Sequence, residues 1–199
     1  MYLPDEVKTA ISMLESRGFE AFAVGGCVRD SLLGKIPTDY DVTTSAFPEE
    51  MKEVFKNEKV IETGIKHGTL TVIIGTYPIE ITTFRIDKDY SDHRRPDSVE
   101  FTRSLREDLA RRDFTVNALA YNSKTGVVDL FGGISDLEKG IIRCVGEPDK
   151  RFDEDALRIM RALRFSSVLG FEIEEKWCKV ANDRLNKTDA HGQMSLFLR

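Results

Sequence analysis

Residues 25–41 constrain the fold of this chain more than any other stretch. The run Phe19–Val24 reads as a strand, and Gly25-Gly26-Cys27-Val28-Arg29-Asp30 turns it into a short helix through Val28, Leu32 and Leu33, ending at Gly34. Thr38-Asp39-Tyr40-Asp41 follows within a few residues and opens a second strand, Asp39–Thr44, rich in β-branched residues. Residues two apart on a strand point to the same face, so Asp39 and Asp41 are expected side by side. Two carboxylates on one face cannot both be desolvated as anions without compensation. A pair of Mg²⁺ ions supplies it, because Mg²⁺ prefers oxygen ligands, keeps several waters and completes its shell with substrate phosphates. Asp-x-Asp at a strand start beside a Gly-Gly turn therefore points to metal-assisted phosphoryl or nucleotidyl transfer.

Bulk properties leave that reading open. The 199 residues suffice for one good core and the start of a second unit, and 41% hydrophobic with 32% charged residues is ordinary for a globular protein. The net charge of −5 does not advertise a nucleic-acid binder, but arginines cluster at Arg94-Arg95, Arg111-Arg112 and Arg158, Arg161 and Arg164. Cys27, Cys144 and Cys178 are far apart and form no Cys-x-x-Cys pair, which argues against a zinc site or a disulfide framework and fits a reducing, cytoplasmic compartment. The sequence has no apolar run long enough to span a membrane, and no secretory leader is expected.

Along the chain, Pro4-Asp5 opens a helix with Val7, Ile11 and Leu14 on one face, closed by Gly18. Pro48-Glu49-Glu50 starts another, and strands are expected at Lys59–Glu62, Thr69–Ile74 and Ile79–Arg85, the last two joined by a hairpin at Gly75-Thr76-Tyr77-Pro78. In the last strand Glu80, Thr82 and Phe84 alternate with Ile79, Ile81 and Thr83. Ile86–Ser104 is polar, lacks periodicity and reads as a long loop. Leu105–Arg112 reads as a short helix, Ile141–Val145 as a strand, Asp153–Val168 as an amphipathic helix and Glu172–Leu185 as a second one. In the first of these helices Ala156, Ile159, Met160, Leu163 and Ser167 form the apolar face and Glu154, Arg158 and Arg161 the opposite one. A boundary is expected near Gly146-Glu147-Pro148, and 186–199 show no pattern.

Each candidate residue also has a plain structural reading. Gly25, Gly26 and Arg29 could make a tight turn with a surface ion pair, or let backbone N–H groups and a guanidinium approach a triphosphate. Asp39 could merely cap a turn, whereas Asp41 stands inside a strand, where aspartate is unfavourable. Glu80, mid-strand between isoleucines, is the candidate third carboxylate, or else a solvent-facing residue. Arg112 and Asp113 could be an ordinary charged helix end. Asp155 and Arg158 could be a local ion pair, and Arg158, Arg161 and Arg164 a solvated strip or a positive wall for a nucleotide. His67 reads as structural.

Taken in order, Gly25–Asp30, Asp39-Tyr40-Asp41, Arg111-Arg112-Asp113-Phe114-Thr115-Val116-Asn117-Ala118 and Glu154-Asp155-Ala156-Leu157-Arg158 resemble the motifs of the class II tRNA nucleotidyltransferases, the CCA-adding enzymes and their bacterial poly(A) polymerase relatives. Asp129-Leu130-Phe131-Gly132-Gly133 and Arg161-Ala162-Leu163-Arg164-Phe165 are similar to that family too, so the resemblance runs from about Phe22 to Phe171. It implies an α+β, polymerase-β-like nucleotidyltransferase head with a mixed sheet over 1–146, then a partial helical neck over 147–199. The resemblance implies Mg²⁺ at Asp39 and Asp41, and the reading of the strand itself adds Glu80 as a candidate catalytic carboxylate. It places the triphosphate of ATP or CTP at Gly25, Gly26 and Arg29, and the sugar near Arg112 and Asp113. Base reading falls to Asp155 and Arg158, with Arg161 and Arg164 supporting the pocket. Cytosine and adenine both offer an amine donor beside a ring-nitrogen acceptor, so one carboxylate and one guanidinium can serve both. Uracil and guanine would leave buried partners unpaired. The loop around Asp92–Asp97 resembles the segment used for switching from CTP to ATP. The implied activity is addition of CMP and AMP to the 3′ end of tRNA. The alternatives are A-only or poly(A) addition, or a head that binds nucleotide or RNA without turnover. The family normally continues into body and tail domains that grip tRNA, so tRNA affinity is expected to suffer in a chain this short.

Overall fold

The computed structural model describes residues 1–88, 98–155 and 157–185. A seven-stranded sheet organises the first part of the chain, in the order β3 (Lys59–Ile61), β4 (Thr69–Ile74), β5 (Tyr77–Thr83), β2 (Asp41–Thr44), β1 (Ala21–Val24), β8 (Leu119–Asn122), β9 (Gly126–Asp129). It is mixed: β2 and β5 run parallel, and the other neighbours are antiparallel. The α+β class expected from the sequence is therefore the one observed. The central position of β1 explains its composition, since all four residues are buried and alternate ones serve two cores. Ala21 and Ala23 join the larger core with α1 (Asp5–Ser16) and α3 (Pro48–Val54), whereas Phe22 and Val24 join Phe84, Leu109, Ala118, Ala120 and Val145 on the opposite face.

Local chemistry sets the helix ends. Glu50 accepts the Phe47 N–H at 2.7 Å ahead of α3, and Ser104 accepts the Glu107 N–H at the start of α4 (Leu105–Ala110). Asp129 takes the N–H groups of Gly133 and Ile134, both at 2.9 Å, fixing the start of α5 (Gly133–Lys139).

Four expectations change. The polar stretch after residue 85 is not all loop: β6 (Arg85–Lys88) and β7 (Ser98–Phe101) pair antiparallel, and their charged residues escape a hydrophobic-periodicity test because the ribbon stands apart from the main sheet. The Asp92–Asp97 loop and Arg94-Arg95 lie outside the described residues. The expected strand Ile79–Arg85 ends as β5 at Thr83, so Phe84 lies beyond it, fully buried in the same core as Phe22 and Val24. The expected strand after residue 140 keeps only β10 (Ile141–Ile142), which pairs with β11 (Glu172–Ile173), a segment read as helix from the sequence.

The fourth change concerns the expected helix Asp153–Val168. It divides into α6 (Pro148–Glu154) and α7 (Leu157–Leu169), with Asp155 extended between them. The faces of α7 also differ from the periodicity reading. Arg158, Ile159 and Ala162 are buried, while Met160 and Leu163 are 57% and 50% exposed. α8 (Glu175–Leu185) follows, with Trp177 packed edge-on against Phe152. Among the described residues no helix is long and apolar enough to cross a membrane.

Candidate active site

Backbone registry places the acidic residues. β2 begins at Asp41, so Asp39 lies in its approach segment rather than in the strand, but the alternation survives: Asp39 and Asp41 are exposed and Tyr40 between them is buried. Asp41 pairs across the parallel β2–β5 boundary with Glu80 and across the antiparallel β1–β2 boundary with Val24, the residue before the Gly25 turn. The Asp41 carboxyl is pushed above its ordinary 3.8 by desolvation first, then by the charges of Glu80 and Asp39, with Arg112 pulling the other way. The three acidic side chains thus share one electrostatic site at the end of β2. Among the described residues, however, no group of three His, Cys, Asp or Glu side chains is drawn close enough to hold a metal.

The Gly25 turn forms the adjoining wall. Gly25 adopts φ 76° and ψ −126°, a conformation that disfavours a side chain, and a Cβ there would lie 3.2 Å from Arg112 Nη1. Gly25 N–H is spent on the Leu119 carbonyl, and Gly26 begins α2 (Gly26–Leu32). Arg29, on α2, forks onto Asp30 at 2.8 and 3.0 Å and donates from Nη1 to Asn117 Oδ1 at 2.6 Å. The ion pair of the plain reading therefore exists, but its arginine is largely buried and faces Asn117 as well.

Arg112 is oriented by a residue the sequence reading did not single out. Asp108, on α4, is fully buried and accepts from Arg111 Nε at 2.9 Å, Thr43 Oγ1 at 3.2 Å, Arg85 N–H at 3.4 Å and Arg112 Nη2 at 3.4 Å. Burial alone would raise its pKa, but Arg111 and Arg112 more than offset that and hold it below 3.8. Arg112 Nε is buried with no hydrogen-bond partner among the described residues. Burial correspondingly lowers the Arg112 pKa, against the pull of Asp108.

On the far side, Asp113 joins the sheet unit to α7. Its Oδ1 accepts from Phe114 N–H at 2.8 Å and Asn117 Nδ2 at 3.2 Å, and its Oδ2 accepts from Arg161 Nε at 2.9 Å. Asp155 accepts the Leu157 N–H at 2.8 Å, acting as a cap for α7 rather than a partner on the same helix face as Arg158. Its carboxyl is raised by burial, with Arg158 and Arg161 opposing and Asp113 reinforcing the shift. Arg158, expected on a polar face, is 5% exposed; its Nη1 lies 3.0 Å from Glu154 and its Nη2 donates to the Arg111 carbonyl at 3.4 Å. Arg164 is exposed, and among the described residues no ion pair or hydrogen bond joins it to this cluster.

A profile described as the poly A polymerase head domain matches residues 21–143, most of the chain. The chain belongs to that family. A CCA-adding enzyme from Lactobacillus helveticus is 56% identical over 177 residues, which cover 87% of this chain and 44% of that protein. The crystal structure of the Bacillus stearothermophilus CCA-adding enzyme in complex with CTP superposes with a TM-score of 0.82 at 45% identity, covering 90% of this chain and 43% of the other. A tRNA nucleotidyltransferase complexed with a primer tRNA and an incoming ATP analog gives 0.70 at 34% identity, covering 87% and 49%. The chain thus spans less than half the length of the relatives it matches. The polymerase-β-like head fold expected from the motifs is the fold observed.

Within this family member, the structure brings Asp39, Asp41, Glu80, Gly25 and Arg112 to one end of the sheet, and Asp113, Asp155, Arg158 and Arg161 to the junction with α7. Asp108 and Asn117 are what sequence reasoning missed. Both lie inside or next to the Arg111–Ala118 motif, and a buried carboxylate three and four residues before two arginines was the available signal for Asp108.

Proposed function

We propose that this chain is the catalytic head, 1–146, and part of the neck, 147–199, of a tRNA nucleotidyltransferase that adds CMP and AMP from CTP and ATP to the 3′ end of tRNA. The observation that carries the reading is the β2–β5 register, which sets Glu80 beside Asp41 next to the Gly25 turn and Arg112. The desolvation, and after it the repulsion from Glu80 and Asp39, that raise the Asp41 pKa are what a divalent cation would relieve, and the all-oxygen donor set of Asp39 and Asp41 suits Mg²⁺ completed by waters and phosphates. When bound, such ions polarise the phosphoryl oxygens and favour the attacking alkoxide.

The chain's own residues supply the rest. Arg29 presents guanidinium donors to the triphosphate, which offsets the charge that builds on departing pyrophosphate. The RNA 3′-oxygen forms a bond to the α-phosphorus as the bond to the pyrophosphate oxygen breaks, and the hydroxyl proton passes to water. Arg112 and Asp113 would lie near the sugar and favour ribonucleotides. Asp155, beside Arg158, offers the acceptor half of a pair that suits cytosine and adenine alike. The name of the matched family keeps A-only or poly(A) addition as the second reading. The three unpaired cysteines fit a cytoplasmic setting.

The test uses tRNA lacking its CCA end, Mg²⁺, and CTP alone, ATP alone, then both. Ordered addition of C, C and A, lost in Asp39→Ala/Asp41→Ala, is the expected result. Addition of A alone selects the second reading. Absence of both extension and nucleotide binding in intact protein refutes the proposal.

A further inference from the structure

Arg29 and Arg161 lie far apart in sequence, on α2 and α7, yet a closed ring of contacts joins them. Arg29 Nη1 donates to Asn117 Oδ1 at 2.6 Å, Asn117 Nδ2 donates to Asp113 Oδ1 at 3.2 Å, and Arg161 Nε donates to Asp113 Oδ2 at 2.9 Å. The ring closes through Phe165, whose centroid is 5.3 Å from the Arg29 guanidinium and 5.7 Å from that of Arg161. Phe165 is itself set edge-on against Phe114 at 5.7 Å.

Asn117 is the one member that must both accept and donate. A guanidinium only donates and a carboxylate only accepts, so the amide carbonyl is forced toward Arg29 and the amide nitrogen toward Asp113. Burial of Asn117 to 7% exposure removes water as a substitute partner. Three of Arg29's five N–H donors are engaged, one each on Nε, Nη1 and Nη2, which fixes the plane of the fork and leaves an outer N–H on each terminal nitrogen for a ligand.

We propose that Asn117 is a positioning residue that makes the hold of Arg29 on a nucleoside triphosphate depend on Arg161, and so on the seating of α7. This rests on the nucleotide-binding reading above. The arrangement is reciprocal: a triphosphate that stabilises the oriented Arg29 also stabilises α7 in place. Triphosphate binding is thereby linked to the seating of α7 without any residue of α7 touching the phosphates.

The experiment has two readouts on the 199-residue chain. The first is the ¹⁵N Nε–H resonance of Arg29 without nucleotide. It should move in Arg161→Ala, and the Arg161→Ala shift should vanish when Asn117→Ala or, where that variant folds poorly, Asn117→Ser is already present. The second is calorimetric affinity for CTP and for cytidine with Mg²⁺. Asn117→Ala should weaken CTP by about tenfold, the size expected for a disturbed charge-assisted hydrogen bond, and leave cytidine unchanged. An Arg29 signal indifferent to Arg161→Ala, or equal losses for CTP and cytidine in Asn117→Ala, overturns the proposal. A wild-type chain that binds no CTP while the Arg29 signal still responds through Asn117 would overturn the nucleotide reading and leave the coupling standing.

Discussion

Replacing Asp108 by asparagine should be among the most destabilising single changes in this chain that leave side-chain volume almost unaltered. Asp108 is fully buried and takes hydrogen bonds from Arg111, Arg112, Thr43 and the Arg85 backbone. The substituted side chain would keep one acceptor oxygen, but its amide would aim donors at guanidinium donors, and Arg85, Arg111 and Arg112 would retain one fewer opposing charge. Breaking a buried ion pair by removing one partner costs about 3–5 kcal/mol. Against a total stability of about 5–15 kcal/mol that is a large share. At about 2–4 °C per kcal/mol for a chain this size, the melting temperature should fall by roughly 6–20 °C.

The pH dependence supplies a second, independent signature. The folded Asp108 carboxyl is held below 3.8, so its contribution is full above that value and is lost as pH falls through the folded pKa. Urea denaturation of both proteins across the acid range should therefore show a stability gap that is flat at neutral pH and closes only in acid. Asp108→Asn costing under about 1 kcal/mol, with no change in the acid limb, would refute the assignment of Asp108 as the anionic hub of the arginine cluster.

Gly133→Ala should lose about 3 kcal/mol in urea melts, because its Cβ would lie 2.3 Å from the Thr115 carbonyl oxygen, which cannot move aside as a side chain would. Gly25→Ala should cost about 1–3 kcal/mol from backbone strain, measured the same way. A thiol reagent at mildly alkaline pH should modify Cys178, which is partly exposed, and spare Cys27 and Cys144, whose burial pushes their pKa up to about 11 and about 12; the latter two should react only on unfolding. Ile159→Ala should cost about 2–5 kcal/mol, whereas Leu163→Ala, at a half-exposed position, should stay within about 0.5 kcal/mol in the same denaturation assay.

The contrast between Ile159 and Leu163 shows where sequence reading stops. Periodicity put both on one apolar face of a single helix, but the chain breaks at Asp155 and the docked face of α7 is chosen by where Arg158 and Ala162 find partners. By itself the sequence determined the local features: the strand–Gly-Gly–helix unit, the alternation of Asp39, Tyr40 and Asp41, the β4–β5 hairpin and the order of the motifs. Each depends on residues close in the chain, through turn conformation, side-chain alternation or capping. Tertiary structure alone decided that Glu80 lies beside Asp41, that Asp108 sits beneath Arg111 and Arg112, and that Asn117 meets Arg29 from 88 positions away. Those contacts are set by strand order and by the desolvation of charges against distant partners, and no local pattern along the chain encodes which strand or arginine a carboxylate will face.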